Sequence, residues 1–198
     1  MYNLHNRDYL QYIAWQRLRC IKIQQLKKIL LLSDTHGHID ERILSYAKSA
    51  DEVWHAGDIG QLGVTDTLVN LKPLRAVYGN IDGNEARVSF PENKSFVCEG
   101  ALIVMTHIGG PAGRYTPRVR ALLDKQQPTV FICGHSHILK VMYIKNRQLM
   151  HLNPGAAGIH GFHQIRTMLR FEIEKGKLQN MEVIELGLRG KGLAQTVD

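Results

Sequence analysis

The chain has 198 residues, of which 44% are hydrophobic and 22% charged, and its 25 Lys and Arg against 18 Asp and Glu give a net charge of +7. This length fits one domain, because single cores of about 100–200 residues are the usual unit. The composition excludes a disulfide-stapled miniprotein, and it is too apolar and too mixed in charge for a disordered chain.

Residues 1–26 differ from the rest of the chain. Apolar residues recur at helical spacing between Leu10 and Ile21, which predicts a short amphipathic helix in an N-terminal extension. Arg17 and Arg19 interrupt any apolar run of a secretory signal, so that class of segment is excluded. A helix docked on the main domain, an extension without function and an organellar transit peptide all stay open.

From Lys27 onward, apolar runs alternate with helical patterns, and residues 27–198 are predicted to form one domain. Strands are predicted at 28–33, 52–56, 74–78, 95–98, 101–106, 129–133, 140–145, 148–152, 168–174 and 178–186, and helices at 39–49, 62–70 and 116–125. Thr116 is the expected N-cap of the last helix, with Pro117 at its first position. The C-terminal third, with short alternating runs, is expected to be antiparallel. These elements predict an α/β or α+β domain with two packed sheets.

Charge and cysteine usage narrow the classes of partner and the cellular compartment that the sequence predicts. Residues 1–26 carry +3 of the net charge and no basic run has interleaved aromatic residues, so no nucleic-acid partner is expected. Cys20, Cys98 and Cys133 form no CxxC pair, which favours free thiols and a cytoplasmic location. The apolar runs are far shorter than the roughly 18–20 residues of a membrane span, so no membrane partner is expected.

Five predicted strands are each followed by a short run that contains Asp, Asn or His. These runs are SDTHG at 33–37, AGD at 56–58, YGNID at 78–82, MTH at 105–107 and CGHSH at 133–137. Loops at strand ends are where a rigid scaffold presents functional groups. The repetition therefore predicts one functional site built from several strand ends.

The side chains in these runs suit a metal ion. Asp34 and His36, like His135 and His137, are two residues apart and point the same way if the backbone is extended. Carboxylate, imidazole and amide-oxygen donors match borderline divalent ions such as Mn²⁺, Fe²⁺, Zn²⁺, Ni²⁺ or Co²⁺. The neighbouring glycines allow the sharp turns that a crowded site needs.

Five motifs, in their order along the chain, resemble the signature of the calcineurin-like metallophosphoesterases. They are Asp34-x-His36, Gly57-Asp58, Gly79-Asn80, Thr106-His107 and Gly134-His135-x-His137. The resemblance extends from about Lys27 to the C-terminus. The Gly79-Asn80-Ile81-Asp82 form and Asn153-Pro154-Gly155 are most similar to the small prokaryotic YfcE-like phosphodiesterase branch.

The resemblance implies a fold and a set of metal ligands. The fold is a four-layer α/β/β/α sandwich, in which two packed mixed sheets are flanked by helices. Asp34, His36 and His137 would hold one metal, Asn80, His107 and His135 the other, and Asp58 would bridge them. Two divalent ions are implied, Mn²⁺ foremost, with Ni²⁺, Fe²⁺, Zn²⁺, Co²⁺ or Mg²⁺ as alternatives.

The resemblance also implies an activity, the hydrolysis of a small phosphate ester by in-line attack of a metal-bridging hydroxide. Asp58, Asn80 and His107 would be the catalytic residues. Paired divalent ions acidify a bridging water and stabilise charge on the phosphoryl oxygens, so the chemistry is consistent. A phosphodiester is the favoured substrate, and nucleotide-like esters are among the candidates. Whether the protein forms a homo-oligomer stays open. The alternative is a non-catalytic scaffold or binding protein that retains the fold.

Two positions depart from the family pattern. Many members have His directly after the Gly-Asn pair, where it protonates the leaving oxygen, but this chain has Ile81. An aliphatic side chain donates no proton, so esters with good leaving groups are favoured. Candidate replacements as proton donor are Asp82, His38, His160 and His163. Ile108 stands where relatives often carry Gly, and it is expected to reshape the pocket edge.

Two further side chains have open roles. His55 either orients Asp58 or is a buried strand histidine bonded to backbone, and the residues alone favour neither. Arg114 and Arg118, after His107, are candidates for a phosphate contact against the alternative of solvated surface residues.

Overall fold

The computed structural model describes residues 26–190. Its elements in chain order are β1 (Lys27–Leu32), α1 (Glu41–Ser49), β2 (Glu52–His55), α2 (Leu62–Leu71), β3 (Leu74–Ala76), α3 (Asn84–Ser89), β4 (Asn93–Cys98), β5 (Ala101–Thr106), α4 (Pro117–Gln126), β6 (Val130–Ile132), β7 (Leu139–Ile144), a 3₁₀ helix (Lys145–Arg147), β8 (Leu149–Pro154), β9 (Ile165–Glu174) and β10 (Lys177–Leu188). The predicted N-terminal helix and Cys20 lie outside the described residues. Within that range, no helix is long and apolar enough to cross a membrane.

The strands form two five-stranded mixed sheets. The first has the order β10-β9-β1-β2-β3 and the second β4-β5-β6-β8-β7. In the first, β1, β2 and β3 run parallel, and β9 and β10 add antiparallel neighbours. In the second, β5, β6 and β8 run parallel, with β4 and β7 antiparallel at the two edges. The parallel strands at the centre of both sheets end in the loops that carry the predicted site residues.

Alternating side chains divide the molecule into four layers. Ile29 and Leu31 of β1 belong to a core that also contains Ile103 and Ile132 of the second sheet, so this core lies between the sheets. Leu30 and its neighbours on the opposite face of β1 pack against α1 and α2. The outer face of the second sheet packs against α4 in the same manner. The period-2 alternation of strand side chains produces this arrangement, and the predicted α/β/β/α sandwich is confirmed.

Side-chain caps mark the start of two of the predicted helices. The side chain of Asp40 accepts a hydrogen bond from the backbone N–H of Ile43 at the start of α1. Thr116 caps α4 in the same way, with Pro117 in its first turn, as predicted. Helix α3 was not predicted, because it has only six residues and no side-chain cap at Gly83. So short a helix has little intrinsic stability and depends on tertiary packing.

The predicted strands are all present, but one pairing differs from expectation. The C-terminal third was expected to be antiparallel, yet β8 pairs parallel with β6 and antiparallel with β7. That expectation was wrong for β6 and β8, because alternation along one strand does not specify the direction of its partner. Cys98 and Cys133 are free, as their spacing predicts, and both are buried.

Candidate metal centre

Two groups of three side chains converge where the central strands end. Asp34, His36 and His137 have ligand atoms within 4.8 Å of one another, and so do Asp58, His107 and His135. We call these the first and second clusters. Asp34 and His36 follow β1, Asp58 follows β2, His107 follows β5, and the two remaining histidines follow β6. Six of the seven predicted metal ligands are thus brought together by strands from both sheets.

Asp58 lies between the two clusters. Its Oδ1 is 3.2 Å from Nε2 of His107 in the second cluster, and its Oδ2 is 3.7 Å from Nε2 of His36 in the first. The clusters also approach each other at Asp34, whose Oδ1 is 3.9 Å from Nε2 of His107. A carboxylate with one oxygen toward each cluster can bridge two cations.

Asn80, the seventh predicted ligand, lies in the loop after β3. It lines a recess together with His107 of the second cluster. The next residue, Ile81, donates its backbone N–H to Oδ1 of Asp58 over 3.1 Å. This bond fixes the Asn80 loop against the Asp58 carboxylate.

Asp82 is a positioning residue for that loop and is not free to donate a proton. The side chain is buried. Its carboxylate accepts hydrogen bonds from the backbone N–H groups of Gly79 at 2.7 Å, Gly60 at 2.8 Å and Ile59 at 3.1 Å. It therefore ties the Gly79–Asn80 turn to the loop that carries Asp58. Arg87 of α3, which no sequence motif indicated, supports the same turn by donating to the carbonyl of Asp82 over 2.7 Å.

The backbone of the two clusters is strained. Of the ten non-glycine residues with positive φ in the described part of the chain, five belong to the clusters. They are Asp34 at 55°, His36 at 48°, Asp58 at 53°, His135 at 68° and His137 at 55°. Such left-handed conformations cost free energy and tend to gather at functional sites.

These dihedral angles correct one premise from the sequence. The backbone at Asp34 and His36, and at His135 and His137, is left-handed and not extended. Asp34 and His36 still share the first cluster, but His135 joins the second cluster while His137 joins the first. The bend at each residue sends neighbouring imidazoles to opposite sides, so one short loop serves both clusters.

Two glycines leave room that any side chain would fill. A Cβ atom on Gly79 would lie 2.0 Å from Oδ1 of Asp58, and one on Gly134 would lie 2.0 Å from Oγ of Ser33. The Gly134 position is also within 2.8 Å of Oδ2 of Asp34. Both backbones therefore approach the carboxylates more closely than alanine permits.

The donor atoms that face each other at the centre fit a cation. Within the described residues, Oδ1 of Asp34 and Nε2 of His36 and His107 are buried without a hydrogen-bond partner. Nδ1 of His107 is bonded to the carbonyl of Ala56 over 2.8 Å. The carbonyl only accepts, so this nitrogen carries the proton. In its neutral form, His107 then directs a bare Nε2 toward two carboxylates. Buried polar atoms are normally satisfied, and divalent cations would satisfy these.

His163 orients His137 through a second hydrogen bond of this kind. Nε2 of His163 donates to the carbonyl of Gly158 over 3.2 Å, because a carbonyl only accepts. Burial lowers the pKa of His163, so the neutral form prevails and its Nδ1 accepts. Nδ1 of His137, at 3.2 Å, must then donate to it. Nε2 of His137 is left as the nitrogen that faces the cluster, 3.2 Å from Oδ1 of Asp34.

Charge at the centre is dominated by the two aspartates. Burial alone would raise the pKa of Asp58, but contact with His107 outweighs it and the pKa is lowered. Burial lowers the pKa of His36 more than the two carboxylates raise it, so His36 is held neutral. Burial also acts to lower the pKa of His107, but the adjacent Asp58 and Asp34 raise it overall. The carboxylates thus attract any cation that enters.

The other side chains singled out in the sequence have structural contacts. His55 is buried, with Nε2 2.9 Å from Oγ1 of Thr35 and Nδ1 accepting from the N–H of Gly57. Burial lowers the pKa of His55 to about 4. His55 therefore joins the loops after β1 and β2 and does not orient the Asp58 carboxylate. His38 pairs with Asp40 at 3.2 Å.

The two arginines after His107 also have defined places. Arg118 is held by Glu92, at 3.0 Å, and by the side chain of Asn93, at 2.8 Å. It lines the recess of Asn80 and His107. Arg114 is exposed on the surface.

Comparison with known proteins agrees with this geometry. Residues 28–176 match the calcineurin-like phosphoesterase superfamily domain. A probable metallophosphoesterase of Mycoplasma pneumoniae is 31% identical over 164 residues, which cover 79% of this chain and 96% of that protein. The chain belongs to the calcineurin-like phosphoesterase superfamily. Membership supports a metal-dependent phosphoesterase activity, and the predicted family is confirmed.

Solved structures share the fold. An archaeal phosphodiesterase aligns with a TM-score of 0.66 at 22% identity, covering 80% of this chain and 99% of that one. Vps29 from Entamoeba histolytica, solved in complex with Zn²⁺, aligns with a TM-score of 0.61 at 17% identity, covering 80% and 98%. At these identities the likeness establishes the fold alone.

Proposed function

We propose that this protein is a binuclear metal-dependent phosphoesterase that hydrolyses phosphodiesters. The observation that carries the proposal is the pair of clusters joined by Asp58. In this proposal Asp34, His36 and His137 bind one cation, Asn80, His107 and His135 bind the other, and Asp58 bridges them. The unpartnered buried atoms of Asp34, His36 and His107 support it.

The residues divide the work by charge and donor type. Asp34 and Asp58 contribute two negative charges that attract cations, while neutral imidazoles and the Asn80 amide add donor atoms without charge. Bound divalent ions would supply an acidified water nucleophile and stabilise charge on the phosphoryl oxygens. Asp82 and His163 hold Asn80 and His137 in place. The catalytic residues proposed are Asp58, Asn80 and His107.

The proton supply favours diesters with good leaving groups. Ile81, directly after Asn80, is 46% exposed and offers no proton. The carboxylate of Asp82 is occupied by three backbone N–H groups. Nδ1 and Nε2 of His163 are occupied by His137 and Gly158. Esters whose leaving group is a weak base, such as 4-nitrophenyl diesters, are therefore the proposed substrates.

The test is hydrolysis of bis(4-nitrophenyl) phosphate with added Mn²⁺, Ni²⁺ or Mg²⁺, alongside elemental analysis of the purified protein. We expect two metal ions per chain and activity that EDTA removes. Asp58→Ala and His107→Ala should abolish hydrolysis, while Gly63→Ala on α2, where an added Cβ meets nothing within 4 Å, should retain it. Undiminished activity in Asp58→Ala would overturn the proposal.

The second candidate is a scaffold or binding protein that keeps this fold without turnover. Ile81, in the place of the usual proton donor, is the observation that favours it. A protein that binds no metal and shows no hydrolysis with added Mn²⁺ would support this alternative. The complete set of carboxylate, amide and imidazole donors favours the enzyme.

A further inference from the structure

Two recesses flank the second cluster. The apolar recess has a volume of about 400 Å³ and lies beside His135, between the loop after β5 and the start of β7. Its apolar walls are Ile108, Pro111, Ala112 and Ile138. The polar recess, of about 230 Å³, lies beside His107 and Asn80 and contains Arg87 and Arg118.

Ile108 separates the two recesses. Its side chain lines both of them and is 36% exposed. The rings of His107 and His135, one bordering each recess, have centroids 5.3 Å apart. A phosphoryl group bound at the second cluster would therefore have an apolar cavity on one side and a polar one on the other.

The polar groups at the floor of the apolar recess are already satisfied by the protein. Nδ2 of Asn153 donates to the carbonyl of Gly134 over 2.9 Å and to Oγ of Ser136 over 3.1 Å. Nδ1 of His151 is bonded to the hydroxyl of Tyr115. Apart from His135 and the exposed Lys140, what the lining leaves to a ligand is mostly apolar surface. A cavity of this size and character suits an apolar group held beside a few polar anchors.

Cationic side chains line both recesses, Lys140 the apolar one and Arg87 and Arg118 the polar one. Arg118 in the polar recess is paired with Glu92, whereas the guanidinium of Arg87 lies over the ring of Tyr78, 4.5 Å from its centroid. Two arginines against one glutamate leave the polar recess with one net positive charge, the same as Lys140 gives the apolar recess. Charge therefore does not distinguish the recesses, but the apolar walls do, and they suit a ring.

We propose that the apolar recess binds an aromatic ring carried by the phosphate ester, and that Ile108 forms its wall toward the cluster. The inference rests on the proposed function, because it uses the phosphoryl position at the second cluster. It narrows the substrate class to esters with one ring-bearing group. Continuity of the recess with His135 is the observation that links it to the site.

Binding of two phosphate monoesters to the Mn²⁺-loaded protein tests this inference without turnover. Phenyl phosphate and methyl phosphate share the phosphoryl group and differ in the ring. By titration calorimetry we expect phenyl phosphate to bind about tenfold tighter or more, since apolar contacts in a pocket discriminate on this scale. Equal affinities in the unaltered protein would overturn the inference.

Matched variants locate the effect. Ile138→Asp adds a charge at the recess, and because Ile138 is 66% exposed the fold should tolerate it. Val97→Asp is the control, since Val97 is 65% exposed and pairs with Leu102 near the far end of β5 from His107. We expect Ile138→Asp to reduce the preference for phenyl phosphate at least threefold, with Val97→Asp unchanged. Ile108→Gly, which removes the wall, should also reduce it.

The inference and the proposed function can fail separately. Hydrolysis of bis(4-nitrophenyl) phosphate in the same preparations reports the function. If this activity is present but the phenyl preference is identical in Ile138→Asp, Ile108→Gly and Val97→Asp, the ring does not occupy the recess and the inference is wrong. If metal binds but no ester is hydrolysed, the phenyl preference still tests the recess.

Discussion

The Nδ1 atoms of His137 and His163 lie 3.2 Å apart, and the same hydrogen-bonded chain ends at the carbonyl of Gly158. Because the carbonyl only accepts, the proton of neutral His163 lies on Nε2 and its Nδ1 accepts. Nδ1 of His137 must then carry the proton that it donates to His163. A Cβ on Gly161, whose φ is +121°, would lie 2.1 Å from Nδ1 of His137. Glycine at this position therefore allows the loop before β9 to reach the first cluster.

This relationship predicts that His163 controls metal affinity. His163→Phe keeps an aromatic ring but removes the acceptor for the Nδ1–H of His137. Nothing then holds the proton of His137 on Nδ1 and away from Nε2, which faces the cluster. We expect a loss of Mn²⁺ affinity of about tenfold or more, the usual cost of removing a group that orients a ligand. Titration calorimetry measures it. Phe162→Leu, a ring change at a fully exposed position in the same loop, is the control, and equal losses in both variants would contradict the prediction.

Asp82→Asn should destabilise the fold and disturb the metal centre. An amide has one acceptor oxygen, and its NH₂ group would face the N–H donors of Gly79, Gly60 and Ile59. Buried donors left unsatisfied cost about 2 kcal/mol in free energy of unfolding. Urea denaturation measures this. Asp66→Asn, on the exposed face of α2, should change stability little, and similar effects of the two substitutions would count against the role of Asp82.

Gly134→Ala should weaken metal binding through the Asp34 carboxylate. The added Cβ would overlap Oγ of Ser33 and press on Oδ2 of Asp34, which accepts the N–H of His135 over 3.1 Å. We expect unfolding to become easier by about 2 kcal/mol, as for other overpacked sites, together with reduced Mn²⁺ affinity. Gly63→Ala in α2 should instead stabilise by up to about 1 kcal/mol. Unfolding titrations with and without Mn²⁺ separate the two outcomes.

Acid should destabilise the protein through His151, which belongs to neither cluster. Its buried ring contacts those of Tyr115 and Phe131, with centroids 5.7 Å and 5.6 Å away. Burial lowers the pKa of His151 to about 4. Between about pH 6.5 and pH 4 the unfolded chain binds the extra proton, so stability falls as the pH falls through this window.

The size of this effect follows from the two pKa values. At pH 5 the contribution of His151 is about 2 kcal/mol of lost stability relative to neutral pH. His151→Phe retains the ring packing without the titration. Its loss of stability between pH 7.5 and pH 5 should therefore be smaller than that of the unaltered protein by about 2 kcal/mol. Urea unfolding at both pH values gives the difference. An identical pH dependence in the variant would refute the assignment.

The layers of the fold could be predicted because their signal is local. Ile29 and Leu31 alternate with Leu30 and Leu32, and that alternation is written in the sequence. The parallel pairing of β6 with β8 could not be predicted, since it depends on how β7 returns along the second sheet.

Part of the candidate site could likewise be predicted from the sequence, and part could not. Residue types and motif order predict that the aspartates and histidines converge. The left-handed backbone of Asp34 is set by tertiary contacts, such as its N–H bond to the carbonyl of Gly57 over 2.9 Å, and is invisible in the sequence. The contact of His163 with His137 spans 26 residues. The sequence offered only the histidine itself, interpreted as a candidate proton donor.

The last prediction concerns Ile81, where a proton donor is missing. Its backbone N–H is bonded to Asp58, so the side chain starts from a fixed position at the rim of the cluster. Ile81→His should add a general acid for esters with basic leaving groups. We expect kcat/KM for diphenyl phosphate to rise by about 100-fold, because a positioned acid contributes on this scale.

The matched measurement is hydrolysis of bis(4-nitrophenyl) phosphate. Its leaving group is a weaker base than that of diphenyl phosphate and needs less help from an acid. Its hydrolysis should change little in Ile81→His, so the ratio of the two rates is the diagnostic quantity. Val88→His, on the exposed surface of α3, adds the same imidazole seven residues further along and should leave the ratio unchanged. An increase of equal size for both esters would show that the new histidine acts on metal binding or stability and not on the leaving group.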